Sequence, residues 1–149
     1  KKSINKYPWK NKVKISSFDL HNHYKIKNKT FVKQSILIHL AWDFLPDYDS
    51  TLHIQKNTIN SYNFIMKNIK ERIKNILVAG TCFEYGLVNG PIKSNTICNP
   101  TNMYAIGKNL LHKILKFCLL ILNCIFLNVP EFVVFLISFV VVERFYDFV

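Results

Sequence analysis

Two short apolar runs on either side of a strongly periodic helix restrict the fold more than any other feature of this sequence. Ser35-Ile-Leu-Ile-His-Leu-Ala-Trp42 is a continuous apolar run of strand length, the pattern of a strand buried on both faces of a parallel sheet. Asp43 to Ser50, with Pro46, breaks it. From about Thr51 to Lys74, Ile59, Tyr62, Met66, Ile69 and Ile73 recur at spacings of three and four with Lys and Asn between them, which predicts an amphipathic helix. Asn75-Ile-Leu-Val-Ala79 reads as a second buried strand, stopped by Gly80. Residues 86–103, rich in Gly, Pro, Asn and Thr, read as a surface loop. A helix is expected from about Tyr104 to Leu115, with Leu110, Leu111, Ile114 and Leu115 inward. Strand, helix, strand, helix implies βαβ units with right-handed crossovers, hence an α/β fold with a parallel sheet. Leu37–Ala41 and Ile76–Ala79 are expected to be its adjacent strands.

The flanks differ from this core. The chain divides into a basic lead-in, 1–33, with one predicted strand at Val13–Phe18; a core, 34–115; and an apolar tail, 116–149. Of the net charge of +11, the lead-in holds +9, from ten Lys against Asp19 alone, leaving +2 for the rest. With 18 Lys and only Arg72 and Arg144, the chain lacks the arginines that read phosphates and base edges bidentately, so nucleic acid is not the expected partner. The 18 Ile and 16 Asn beside that Lys excess fit an A/T-rich coding sequence. Residues 117–142 carry Glu131 as their sole charge and are long enough in principle to cross a bilayer. Asn123, Asn128, Pro130 and Glu131 fall in the middle of the run, where polar groups are most costly, and two buried strands or a disturbed sequence fit it as well. Cys82, Cys98, Cys118 and Cys124 form no CxxC pair, so reduced, buried thiols are expected. His21 and His23 share one strand face but have no third ligand nearby, and no metal is expected. The start has no cleavable secretory signal, which points to a cytoplasmic setting.

The chemistry concentrates at a strand end and a helix start. Gly80-Thr-Cys-Phe-Glu-Tyr-Gly86 leaves the second strand, and Tyr104-Ala-Ile-Gly-Lys108 opens the following helix. In YxxxK, positions i and i+4 share a helix face, so the Tyr104 phenol and the Lys108 ammonium can address one ligand. A nearby cation favours the phenolate and brings tyrosine toward the range of an acid/base catalyst. Thr81, at the carboxyl end of a parallel strand, stands where ligands of such sheets bind.

At these residues the sequence resembles the extended short-chain dehydrogenases, specifically the NAD(P)-dependent nucleotide-sugar epimerases and reductases of surface-polysaccharide synthesis. The resemblance runs through Leu37-Ile-His-Leu-Ala-Trp42, Asn57-Thr-Ile-Asn-Ser61, Gly80 to Gly86, Pro100 and Tyr104 to Lys108, in family order and at family-like separations. It implies a Rossmann-like sheet with flanking helices and assigns Tyr104 as acid/base, Lys108 as its pKa partner and nicotinamide-ribose ligand, and Thr81 as the hydroxyl of the triad. It places Leu40 and Ala41 along the cofactor, Asn57 at the start of the helix beside the site, and Asp19 at the adenine. The implied cofactor is NAD or NADP, and the implied substrate is a nucleotide sugar.

Two departures from the family pattern shape these expectations. Dehydratases of this family carry an Asp-Glu pair directly after the threonine, whereas Cys82 and Phe83 stand here, so epimerisation or 4-keto reduction is expected instead. Glu84 comes one position late, and on a strand a shift of one turns a side chain to the opposite face. The chain also has glycines only at 80, 86, 90 and 107, so the glycine-loop unit that receives the pyrophosphate is missing. The sequence therefore reads as an internal fragment with an open sheet edge, for which pairing with a second copy is one outcome. A non-catalytic α/β remnant, held to a membrane through 117–142, is the competing reading.

Overall fold

The computed structural model describes residues 8, 12–13, 19–21, 36–70, 73, 75–125 and 133–137, and for 119–125 and 133–137 the backbone alone. Strand β1 (Ile36–His39) is followed by a π-helical turn at His53–Thr58 that runs directly into helix α1 (Ile59–Lys70). Strand β2 (Asn75–Ala79), a 3₁₀ turn (Cys82–Tyr85), helix α2 (Met103–Ile125) and strand β3 (Val133–Ile137) complete the order. All pairing is parallel. Ile36 to His39 register with Asn75 to Val78, and Asn75 to Ala79 register with Val133 to Ile137, giving a sheet of order β1-β2-β3.

This order explains the layering. Each parallel pair needs a crossover, and right-handed crossovers advancing in one direction put their helices on one face of the sheet. Phe64, Ile65 and Ile69 of α1, with Ile73 beyond it, pack with Leu37, Ile76 and Val78 of the sheet and Leu111 and Leu115 of α2. Complete burial of an aliphatic side chain of this size contributes about 1.5–3 kcal/mol, so this face dominates the stability of the described unit.

Several expectations need correction. β1 is not buried on both faces: Leu37 and His39 are buried, while Ile36 is 66%, Ile38 56% and Leu40 66% exposed. Both described helices cover the same face, and nothing described covers the other. The first helix begins with the π turn and ends at Lys70 rather than spanning Thr51 to Lys74, because Asn68 closes its last turn, donating to Phe64 O (2.7 Å) while its own carbonyl accepts from Ile73 N–H (3.1 Å). The second helix runs ten residues beyond Leu115 to Ile125, and Leu110 faces solvent while Leu111 and Leu115 face the core. The apolar run 117–142 is thus divided: 117–125 is helix and 133–137 is strand, and no described helix is long and apolar enough to cross a membrane. Cys82, Cys98 and Cys118 are free and half-buried rather than buried. Of the predicted strand at Val13–Phe18 all but Val13 lies outside the described residues, as do His23 and most of the basic lead-in.

His39 is the least comfortable group in the core. It is buried against Phe64, its Nε2 has no hydrogen-bond partner, and burial together with the charge of Lys108 holds its imidazole at about 4. The unfolded chain therefore binds a proton that the folded chain refuses between about pH 6.5 and 4, so stability falls as pH drops through that window. Held-down His112 acts in the same sense, and Glu84, whose pKa is raised, acts in the opposite sense. Urea unfolding at pH 7 and pH 4.5 should show His39→Leu losing less stability on acidification than the parent, by about 2–3 kcal/mol. Equal losses in both proteins would contradict this.

Candidate active site

The carboxyl end of β2 runs into a turn that brings Thr81 and Glu84 together. Thr-x-x-Glu is the capping-box spacing, and both of its bonds form, with Thr81 N–H donating to Glu84 Oε1 (2.8 Å); Phe83 N–H also donates to Thr81 Oγ1 (3.4 Å). Because Cys82–Tyr85 is a 3₁₀ turn and not a strand, alternation does not apply, and Glu84 turns inward to full burial. This corrects the expectation that one position of delay would send it to the opposite face. Gly86 ends the turn at φ 71°, and a Cβ placed there would lie 2.3 Å from the Asn99 carbonyl oxygen.

Helix α2 starts where two outside acceptors meet its free amides. Asn102 Oδ1 accepts from Ala105 N–H (2.8 Å), and Tyr48 O accepts from Tyr104 N–H (2.9 Å), so the loop after β1 fixes Tyr104 in the first turn. The Tyr104 ring lies 5.5 Å from His53, 5.6 Å from Tyr48, 5.9 Å from Trp42 and 6.3 Å from Phe83, in an aromatic enclosure with edge contacts throughout. Burial pushes its phenol above the usual tyrosine value, and a hydrogen bond with Thr81 pulls it back in part. The sequence argument expected Lys108 to lower it. Lys108 instead donates from Nζ to Ala79 O (2.9 Å) and stands 4.3 Å over the Trp42 ring, so its charge is spent on those partners. Burial lowers Lys108 to about 8, against a smaller upward pull from Glu84.

Asn57 lies within the π turn rather than at the start of a helix. Its amide clamps Asp43 from both sides: Nδ2 donates to Asp43 O (2.8 Å), and Oδ1 accepts from Asp43 N–H (3.2 Å). His53, one turn earlier, accepts from Trp42 Nε1 (3.1 Å) at Nδ1 and donates from Nε2 to Asp47 O (2.6 Å). Indole N–H can only donate, so the Nε2–H tautomer is fixed. The Thr58 hydroxyl is shared between His53 O and Gly107 O, both at 3.0 Å, and a Cβ on Gly107 would meet the same His53 oxygen at 3.0 Å. Absence of a side chain at Gly107 thus lets α2 seat Tyr104 and Lys108 against the π turn.

The structure gathers Thr81, Tyr104 and Lys108, with Asn57 behind the loop that holds Tyr104. Leu40 and Ala41 are exposed at the end of β1. Asp19 sits apart in a short exposed turn, accepting from His21 N–H (2.9 Å), and His21 in turn meets Asn60 (2.7 Å) and Asp43 (3.6 Å). Sequence reasoning missed Glu84, His53, Trp42 and Tyr48. For Glu84 the capping-box spacing was a legible signal; for the other three only the fold places them around Tyr104.

A Thr, Tyr and Lys group thus stands at the carboxyl end of a parallel α/β unit, the end at which ligands of such sheets bind. Over 77 residues, 52% of this chain, the sequence is 43% identical to dTDP-6-deoxy-L-talose 4-dehydrogenase (NAD(+)) of Aggregatibacter actinomycetemcomitans. The chain spans 28% of that enzyme's length. The fold matches a crystal structure of UDP-glucose 4-epimerase with a TM-score of 0.57 at 22% identity, over 69% of this chain and 33% of the other. No family model matches. The sequence match makes the chain similar to an NAD(+)-named dehydrogenase over part of that enzyme's length, and the structural likeness shows a partial Rossmann-like α/β fold.

Gly86 provides a direct check on the turn that presents Thr81. Gly86→Ala combines a left-handed φ with a backbone clash, and chemical denaturation should report a loss of about 2–3 kcal/mol. A loss below about 0.5 kcal/mol would mean that the turn is not held as described.

Proposed function

We propose that this chain carries the acid/base end of an NAD(P)-dependent nucleotide-sugar 4-keto reductase or epimerase. One observation carries the reading: Thr81, at the carboxyl end of β2, is near enough to Tyr104 to draw its phenol's pKa down, and Lys108 reaches the same strand end from one helical turn further along α2. The similar enzyme named as a 4-dehydrogenase of a dTDP-6-deoxy sugar favours chemistry at a sugar C4. Phe83, packed against Tyr48 and Tyr104 where dehydratases carry an acid, disfavours elimination.

In this reading Tyr104 hands a proton to the 4-oxygen, or takes one from it, and Thr81 holds that oxygen. Burial keeps the resting phenol protonated, which sets the site to donate to a carbonyl oxygen. The nicotinamide supplies and accepts hydride when bound. Lys108, released from Ala79 O, is the group placed to hold the ribose, with Leu40 and Ala41 alongside the cofactor and Asp19 toward its adenine. These residues fit the nicotinamide end. The pyrophosphate end lacks its cradle, because no glycine precedes Gly80. A nucleotide sugar is the proposed substrate and the cytoplasm the proposed setting.

Two measurements test the reading. In a chimera where residues 36–115 replace the matching segment of the talose dehydrogenase, Tyr104→Phe should lower kcat at least about a hundredfold with the fold intact. Equal turnover in variant and parent chimera would remove the proposed role of Tyr104. Calorimetric titration of the 149-residue chain alone with NAD and NADP should show no micromolar binding, since the pyrophosphate contacts are lacking. Micromolar binding of either would show that the chain holds a cofactor by groups other than those assigned.

A further inference from the structure

Glu84 is a fully buried carboxyl group that the proposed chemistry does not use. Its Oε1 is occupied by Thr81 N–H (2.8 Å). Its Oε2 lies 4.0 Å from His112 Nδ1, at the outer limit of an ion pair. That contact carries little charge, since burial and the neighbouring Lys116 and Lys113 hold His112 below its usual value. Lys108 is the remaining charge facing Glu84, and each moves the other toward its ionised form. A buried carboxyl group in a small α/β core is costly unless its charge is matched, and a capping role alone could be met by a neutral glutamine.

From this arrangement we infer that Glu84 is a positioning residue of the site: one buried carboxylate fixes the backbone of Thr81 and supplies the counter-charge for Lys108. The inference rests on the roles proposed for Thr81 and Lys108. Around the lysine, Ala79 O accepts its hydrogen bond, the Trp42 ring faces it, the held-down His39 feels its charge with Nε2 unpartnered, and Tyr104 precedes it on α2. Glu84 is the group whose charge favours the protonated lysine. It therefore opposes the burial that would otherwise strip the proton from Lys108. Through Thr81 the same residue positions the hydroxyl that lowers the Tyr104 pKa, while its charge adds to the upward push of burial on that phenol. One side chain thus couples all three proposed active-site groups.

The test uses the chain as it is, without cofactor. Glu84→Gln keeps an oxygen for Thr81 N–H and removes only the charge, whereas Glu84→Ala removes both. Lysine side-chain NMR titration, with Lys108 assigned by Lys108→Arg, reads the first function, and amide exchange at Thr81 reads the second. In Glu84→Gln the Lys108 midpoint should fall by about one pH unit, raising its neutral fraction at pH 7 about fivefold. In Glu84→Ala the Thr81 amide should exchange at least about tenfold faster. An unmoved Lys108 midpoint in Glu84→Gln, or unchanged Thr81 exchange in a folded Glu84→Ala, would overturn the inference. If the alanine variant does not fold, the glutamine variant decides alone. Neither readout depends on cofactor or turnover, so a failure of the Tyr104→Phe chimera is separable from a failure here.

Discussion

Parallel pairing on both sides of β2 is the constraint from which the rest follows. Because parallel neighbours cannot be joined by a tight turn, each pair needs a helical crossover, and the sequential order β1-β2-β3 puts α1 and α2 on the same face. The same polarity collects the strand ends. β1 runs into the Trp42–Tyr48 loop and β2 into the Thr81–Glu84 turn at one edge of the sheet, and α2 starts beside both. Lys108 ties this edge together, bonding the last carbonyl of β2 from the second turn of α2.

The site is assembled at an electrostatic cost. Lys108, Glu84 and His39 are buried in a unit whose described apolar core is small, and each is displaced from its ordinary titration range mainly by burial. Buried charges of this kind are poor contributors to stability, and their arrangement is better understood as organisation of the site. The enclosure of Tyr104 by Trp42, Tyr48, His53 and Phe83 works in the same direction. It half-buries the phenol, which raises its pKa, while Thr81 draws that pKa back in part. Lys108 is held in reserve on Ala79 O and Trp42, and Asn57 steadies the loop from behind by gripping Asp43.

Periodicity carried the architecture. The alternation of short apolar runs with a three-and-four repeat specified strand, helix, strand and helix in order, and the pairing of Ile36–His39 with Asn75–Val78 follows from it. The YxxxK spacing placed Tyr104 and Lys108 on one helix face, because i and i+4 coincide on any α-helix. Spacing is a local property, and local geometry makes it legible. Direction across the site is not local. Whether the lysine points to the phenol or to a strand carbonyl depends on which backbone lies within reach after packing, and the proximity argument for a lowered Tyr104 failed for that reason. Element ends failed similarly: α2 continues past Leu115 since nothing in Lys116 to Ile125 breaks a helix, and the reading stopped where the amphipathic pattern faded.

By itself, then, the sequence determined the order and type of the central elements, the Tyr104–Lys108 spacing, the strand-end position of Thr81 and the absence of any glycine before Gly80. Only the tertiary structure decided that one face of β1 stays open, that Glu84 turns inward, and that Lys108 rests on Ala79 O. The physical reason is range. Propensity, periodicity and capping act within a few residues and are written along the chain, whereas burial, desolvation and partner choice arise between segments that meet only when the chain has folded.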